Sequence, residues 1–107
     1  MKKITAHELK KRIDTGESLQ IIDIRDPIDH EVCHIPAAIC IPRVDILNQI
    51  ELIAKDKPVI IYCRYGTKSH PIILNLEMEH GFKNIYTLED GIYEWAKDID
   101  RSMLDLI

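Results

Sequence analysis

The sequence predicts an α/β domain, a mostly parallel sheet with helices on both faces. Three observations carry that expectation. Strand-like and helix-like segments alternate along the chain. LQIIDI (19–24) is a run of β-branched and apolar residues too short for a helix, as in a strand buried on both faces. The chain has 107 residues, 46% hydrophobic and 30% charged, which suits one core and is too apolar for disorder.

The elements follow in order. ITAHELKKRIDTG opens with a capping box, Thr5 at the cap and Glu8 three residues later. Ala6, Leu9 and Ile13 then share a helical face, and Gly16 lies just past the end. After the strand at 19–24, Pro27 suits the first turn of a short helix reaching about Val32. AAICI (37–41) reads as a short buried strand ended by Pro42. Val44, Leu47, Ile50 and Ala54 recur at helical spacing, with Ile46 and Ile53 widening the stripe. Lys57-Pro58 ends that helix, and VIIYC (59–63) is the clearest strand. Ile72, Ile73, Leu76 and Met78 mark a helix ending near Gly81. NIYTL (84–88) is the last strand, and Gly91 to Lys97 forms a helix with Ile92, Trp95 and Ala96 inward. In the tail at 98–107, Met103, Leu104, Leu106 and Ile107 are free to dock on the domain or on a partner.

Charge and cysteine usage exclude several functions. A net charge of −4 offers no nucleic-acid surface. Thr5, His7, Glu8, Lys10 and Lys11 interrupt any signal-peptide core after Lys2 and Lys3. No apolar run approaches the roughly 18 residues of a membrane span. A cytoplasmic single domain over 1–107, with no membrane partner, is the expectation. Cys33, Cys40 and Cys63 are odd in number and include no C-x-x-C pair, which argues against both a disulfide framework and a structural zinc site.

The stretch VIIYCRYGTKSHPIIL (59–74) concentrates the chemistry. Cys63 stands at the carboxyl end of a strand, where ligands of open α/β sheets sit. The loop then turns into a helix, so backbone N–H groups and a helix N-terminus face an anion. Arg64 and Lys68 add formal positive charge, and Gly66 allows a backbone path closed to other residues. Ser69 is placed to cap the helix or donate to the site. These features favour a nucleophilic thiolate. The plain alternative is a buried strand cysteine followed by a polar turn.

YCRYGTKS resembles the C-R-x-G-x-R-S loop of the rhodanese, or sulfurtransferase, family. DIRDPIDHEVCHIPAAICIP (23–42) is similar to that family's D-V-R-x-x-x-E-x-x-x-G-H-I-x-G-A-x-x-I-P, and GFKNIYTLEDGIYEW (81–95) to its G-F-x-N-V-x-x-L-x-G-G-x-x-x-W. The resemblance covers about 4–97. It implies a three-layer domain around a five-stranded sheet, and a persulfide relay needing no metal or organic cofactor. Cys63 would take the sulfane sulfur of a small anionic donor such as thiosulfate and pass it to cyanide, a thiol or a protein acceptor. Arg64, Tyr65, Gly66, Thr67, Lys68 and Ser69 would bind the donor.

The chain departs from the pattern in places. Lys68 stands where the family often has Arg, keeping charge but losing the bidentate fork. Cys33 and Ala37 replace two glycines of the second block and Asp90 one of the third, which bears on local turn geometry. Asp23 and Arg25 are supporting residues that would brace the loop, with an Arg25–Asp29 pairing as the favoured structural reading. His34 reads as structural, Cys40 as core, and Trp95 as a core anchor. A sulfur-carrying module without free turnover is the alternative function. A phosphatase or arsenate reductase is less favoured, because the related phosphatases place Arg six positions after the cysteine. Here that position is Ser69, and the basic residue is Lys68 at the fifth.

Overall fold

In the computed structural model, which describes residues 1–107, five strands form one wholly parallel sheet. The strands are β1 (Lys2–Ile4), β2 (Gln20–Asp23), β3 (Ile39–Cys40), β4 (Val59–Tyr62) and β5 (Ile85–Leu88). Their order across the sheet is β1-β5-β4-β2-β3. The helices are α1 (Ala6–Asp14), α2 (Pro27–Val32), α3 (Ser69–His80) and α4 (Gly91–Asp98). No helix is long and apolar enough to cross a membrane.

Neighbouring isoleucines divide the core. Ile21 and Ile60 join Leu9 of α1 and Ile92 and Trp95 of α4 on one face. Ile22 and Ile61 join Ile72, Ile73 and Leu76 of α3 on the other. Period-two alternation with both faces apolar is the reason the central strands carry no polar alternation. The α1 capping box forms as predicted, with Glu8 N–H donating to Thr5 Oγ1 and Thr5 N–H to Glu8 Oε1, both at 3.1 Å. Gly81 ends α3 in the left-handed conformation.

Three expectations need correction, and one strand went unread. The helix read over 44–54 is two short 3-10 turns, Ile46–Asn48 and Ile50–Leu52. Ile46 and Ile53 are buried, but Val44 is 78% exposed. Gln20 of β2 takes the closing backbone groups, its amide donating to Leu52 O at 2.9 Å and its carbonyl accepting from Ala54 N–H at 2.8 Å. A continuing helix would have used Ala54 N–H itself. The strand read over 37–41 shrinks to Ile39–Cys40 at the sheet edge, with Ile39 exposed and Cys40 only half-buried. Met78 faces solvent instead of the core. β1 has no strand signal in its residues: Lys2 and Lys3 are exposed and only Ile4 is buried, a charged edge pairing with β5. In the tail, Met103 is buried and Leu104 and Ile107 pack on the α1/α4 face, while Leu106 stays exposed.

Candidate active site

Cys63 follows the last residue of β4, the middle strand, and is 4% exposed. Its loop turns back at Gly66, whose N–H donates to Cys63 Sγ at 3.1 Å. Of the loop amides expected around the sulfur, this is the one in hydrogen-bonding contact. Ser69 is fully buried at the start of α3. Its hydroxyl lies 3.1 Å from Thr87 Oγ1 on β5 and 3.9 Å from the thiol. Ser69 therefore ties the helix start to the sheet and holds the loop's far end.

A brace from α4 completes the loop. Ile92 N–H donates to Cys63 O and Tyr93 N–H to Arg64 O, both at 3.0 Å. The helix N-terminus approaches so closely that a Cβ on Gly91 would lie 2.4 Å from Cys63 O. Asp90 turns into the helix with φ 57°, a left-handed conformation costly for a residue with a side chain. Ala37 shares that strain at φ 69°, whereas Cys33, at φ −161°, is ordinary extended backbone. Of the three glycine replacements noted in the sequence, two are thus strained and one is not. Sequence reasoning missed the brace. The surviving glycine at 91, second of the family's pair, was its one signal.

Beside β4, Asp23 organises a buried network. Its carboxylate accepts from Arg25 backbone N–H and Nε at 3.0 Å, and from Arg25 Nη2 at 2.8 Å. It also accepts from His30 Nδ1 at 2.9 Å and from the Tyr62 hydroxyl at 3.0 Å. Burial works to raise its pKa, but the hydrogen bonds from Arg25 and His30 outweigh burial and hold it below the ordinary aspartate range. Burial and then the Asp23 charge push the Tyr62 hydroxyl up, which keeps it a donor. Arg25 Nη2 also donates to Cys33 O at 2.6 Å, fixing the chain after α2. Arg25 therefore pairs with Asp23, not Asp29. His34 stacks on His30 with ring centroids 4.0 Å apart, and its Nδ1 lies 2.8 Å from His30 O.

The thiol opens on a cavity of about 180 Å³ that Arg25, Arg43, Arg64 and Lys68 line from the cationic side. Arg64 also lies over the Tyr65 ring, 5.2 Å from its centroid. Tyr65, Gly66 and Thr67, expected around the donor, line a second cavity with His70 and Thr87. The loop thus divides its residues between two cavities, Arg64 and Lys68 at its ends on one and the three residues between them on the other. Arg43 was not anticipated. It follows Pro42 just past β3, on the same carboxyl edge as Cys63, and that placement was the available signal. No group of three His, Cys, Asp or Glu side chains is placed to hold a metal ion.

Residues 5–98 match the family described as Rhodanese-like domain. The chain is 36% identical to the putative sulfurtransferase YtwF of Bacillus subtilis, covering 89% of this chain and 90% of that one. It is 34% identical to the thiosulfate sulfurtransferase GlpE of Coxiella burnetii, covering 86% and 81%. A 34% match to the probable adenylyltransferase/sulfurtransferase MoeZ of Mycobacterium tuberculosis covers 94% of this chain, which spans only 26% of that protein. The crystal structure of a rhodanese-like domain protein from Staphylococcus aureus superposes with a TM-score of 0.79 at 28% identity, covering 89% of this chain and 91% of that one. A cysteine loop of this geometry, on a sheet shared with such relatives and inside a match over most of the length, leaves one assignment: the chain belongs to the rhodanese-like domain family.

Proposed function

We propose that this protein is a sulfurtransferase that carries a sulfane sulfur on Cys63, with thiosulfate or a persulfide as donor. The carrying observation is the Gly66 N–H on Cys63 Sγ at 3.1 Å. It is a preorganised donor aimed at a sulfur anion on the floor of a cation-lined cavity. The relatives named sulfurtransferase support the reaction class, and the one named for thiosulfate supports that donor.

In the first half-reaction, the Cys63 thiolate attacks the outer sulfur of thiosulfate. A bond forms between Sγ and that sulfur, the S–S bond of thiosulfate breaks, and its electron pair leaves with sulfite. Lys68 and Arg64 lower the cost of bringing a dianion to the thiolate. In the second, a nucleophile attacks the outer sulfur of the persulfide, and the breaking S–S bond returns its pair to Cys63. Cyanide serves in vitro and a thiol in the cell. Asp23 and Arg25 act through position, holding the cavity wall and the chain after α2.

Intact mass after incubation with thiosulfate tests this reading. A gain of about 32 Da, one persulfide sulfur, is expected. Cys63→Ser should lose the gain and the cyanide turnover, while Cys33→Ser and Cys40→Ser retain both. Absence of the gain with both thiosulfate and a persulfide donor refutes the proposal. A relay role inside a larger assembly draws on the MoeZ match, where the corresponding region is one part of a longer chain. Loading from a protein persulfide without cyanide turnover would favour that role.

A further inference from the structure

The tail at 99–107 lies past the family match, which ends at residue 98, and the two half-reactions make no use of it. Ile107, at its end, nevertheless forms part of the wall over Cys63. The other lining residues all come from the segments that follow β2, β3 and β4. Met103, 7% exposed, and Leu104 seat the tail on the α1/α4 face, and half-buried Ile107 packs there too. Asp100 shapes the turn before them. Its Oδ1 accepts from Ser102 N–H at 3.2 Å, and its own N–H donates to Trp95 O of α4 at 3.1 Å. Apolar packing at the end of an ordered turn therefore holds Ile107 on the cavity.

Most of the remaining lining yields more easily. Asp26, Asp29, Arg43, Arg64 and Lys68 are exposed and belong to none of the six ion pairs, so they are free to turn toward solvent. Ile24, 3% exposed, and Arg25, bonded to Asp23, are fixed in the body of the domain. Ile107 is the other apolar wall, and displacing it costs its contact with the α1/α4 core. Cys63 is 4% exposed, so a donor's outer sulfur must descend to it. The group bonded to that sulfur then occupies the cavity. At about 180 Å³, the space is below the roughly 300–1,000 Å³ of sites for drug-sized ligands. We infer that Ile107 is a specificity-determining residue that limits the size of the group carried by the sulfane sulfur. Sulfonate-sized and methyl-sized donors enter, and aryl-sized donors are slowed. The chemistry does not change with size. With a thiosulfonate, the Cys63 thiolate bonds to the outer sulfur, the donor's S–S bond breaks, and its electron pair leaves on the sulfinate. The inference rests on the sulfurtransferase reading above.

The test gives the whole protein two donors that share a reacting group and differ in size, the methanethiosulfonate and benzenethiosulfonate anions. Cyanide is the acceptor, and thiocyanate is the product counted. The readout is kcat/KM for the benzene donor divided by kcat/KM for the methane donor. Comparing this ratio between variants cancels the intrinsic reactivity of each donor. Ile107→Ala should raise the ratio about tenfold, and Ile107→Val should raise it less. Leu106→Ala is the control, an exposed tail neighbour outside the cavity lining, and should leave the ratio unchanged. An Ile107→Ala ratio within about twofold of wild type, or an equal rise in Leu106→Ala, overturns the inference. So does a lower ratio in Ile107→Ala, which would make Ile107 an apolar contact for the larger donor instead of a barrier to it. The mass of the wild-type protein separates the two failures. If Cys63 gains sulfur from methanethiosulfonate and the ratio ignores Ile107, only the size assignment falls. If Cys63 gains sulfur from neither thiosulfonate nor thiosulfate, the sulfurtransferase reading falls and takes this inference with it.

Discussion

Gly91→Ala is the substitution that most directly tests how α4 holds the thiol loop. The added Cβ would lie 2.4 Å from Cys63 O and 2.6 Å from Arg64 O, both rigid backbone atoms. Neither atom can rotate away, so helix and loop must separate. Two hydrogen bonds are at stake, Ile92 N–H to Cys63 O and Tyr93 N–H to Arg64 O, each contributing about 1 kcal/mol. Position 91 also has φ +60°, which costs a side chain about 1–2 kcal/mol. The expected loss is about 3–4 kcal/mol. Gly81→Ala is the control: it has φ +70° with nothing within 4 Å of its added Cβ, so it should cost only the backbone strain. Urea unfolding would read both as shifts of the midpoint at constant slope. The excess at Gly91, about 2 kcal/mol, is the worth of the brace. Sulfur loading of Cys63, followed by mass, should slow in Gly91→Ala and not in Gly81→Ala. Equal destabilisation of the two variants with unchanged loading would show that the contact between α4 and the loop contributes nothing.

Three other perturbations follow from the same geometry. Asp23→Asn leaves a buried arginine without its counter-charge, and should cost about 3–5 kcal/mol at neutral pH. Because the folded state lowers the Asp23 pKa, its contribution is present above the ordinary aspartate value of about 3.9 and lost as pH falls through the lower folded value. Urea titrations at pH 7 and pH 3 should therefore show a smaller acid-dependent loss in the variant, and matching losses would sink the assignment. Ala37→Gly should raise stability by about 0.5–1 kcal/mol by relieving left-handed strain. Asp90→Gly should give less, since Asp tolerates that region better, and Cys33→Gly should give none; a gain at Cys33 alone would contradict the account. Lys68→Ala should lower kcat/KM for thiosulfate by about 1–3 kcal/mol and much less for a neutral persulfide donor, with Lys68→Arg retaining activity. Equal losses with both donors would mean that Lys68 shapes the loop instead of meeting the anion.

Much of the frame was legible because its signals are short-range. The Thr5–Glu8 capping box, the α2 start at Pro27 and the left-handed end of α3 at Gly81 each depend on residues within one helical turn. The strands around Ile21–Ile22 and Ile60–Ile61 announce burial on both faces by their composition. Cys63 could be placed at a strand tip for the same reason, since the apolar run ends there. Local periodicity failed where a distant group competed for the backbone. Gln20 claims Leu52 O and Ala54 N–H across more than thirty residues of chain, and no helical stripe records that. β1 failed the other way, because Lys2 and Lys3 suit an edge strand that exists only once β5 is beside it. The site divides along the same line. Cys63 and its basic loop are contiguous and their placement could be read, but the α4 brace and the gathering of Asp26, Asp29 and Arg43 on the cavity of Cys63 arise from three crossovers of a parallel sheet. Each crossover returns its loop to the same carboxyl edge, and only the order of the strands decides which loops meet there.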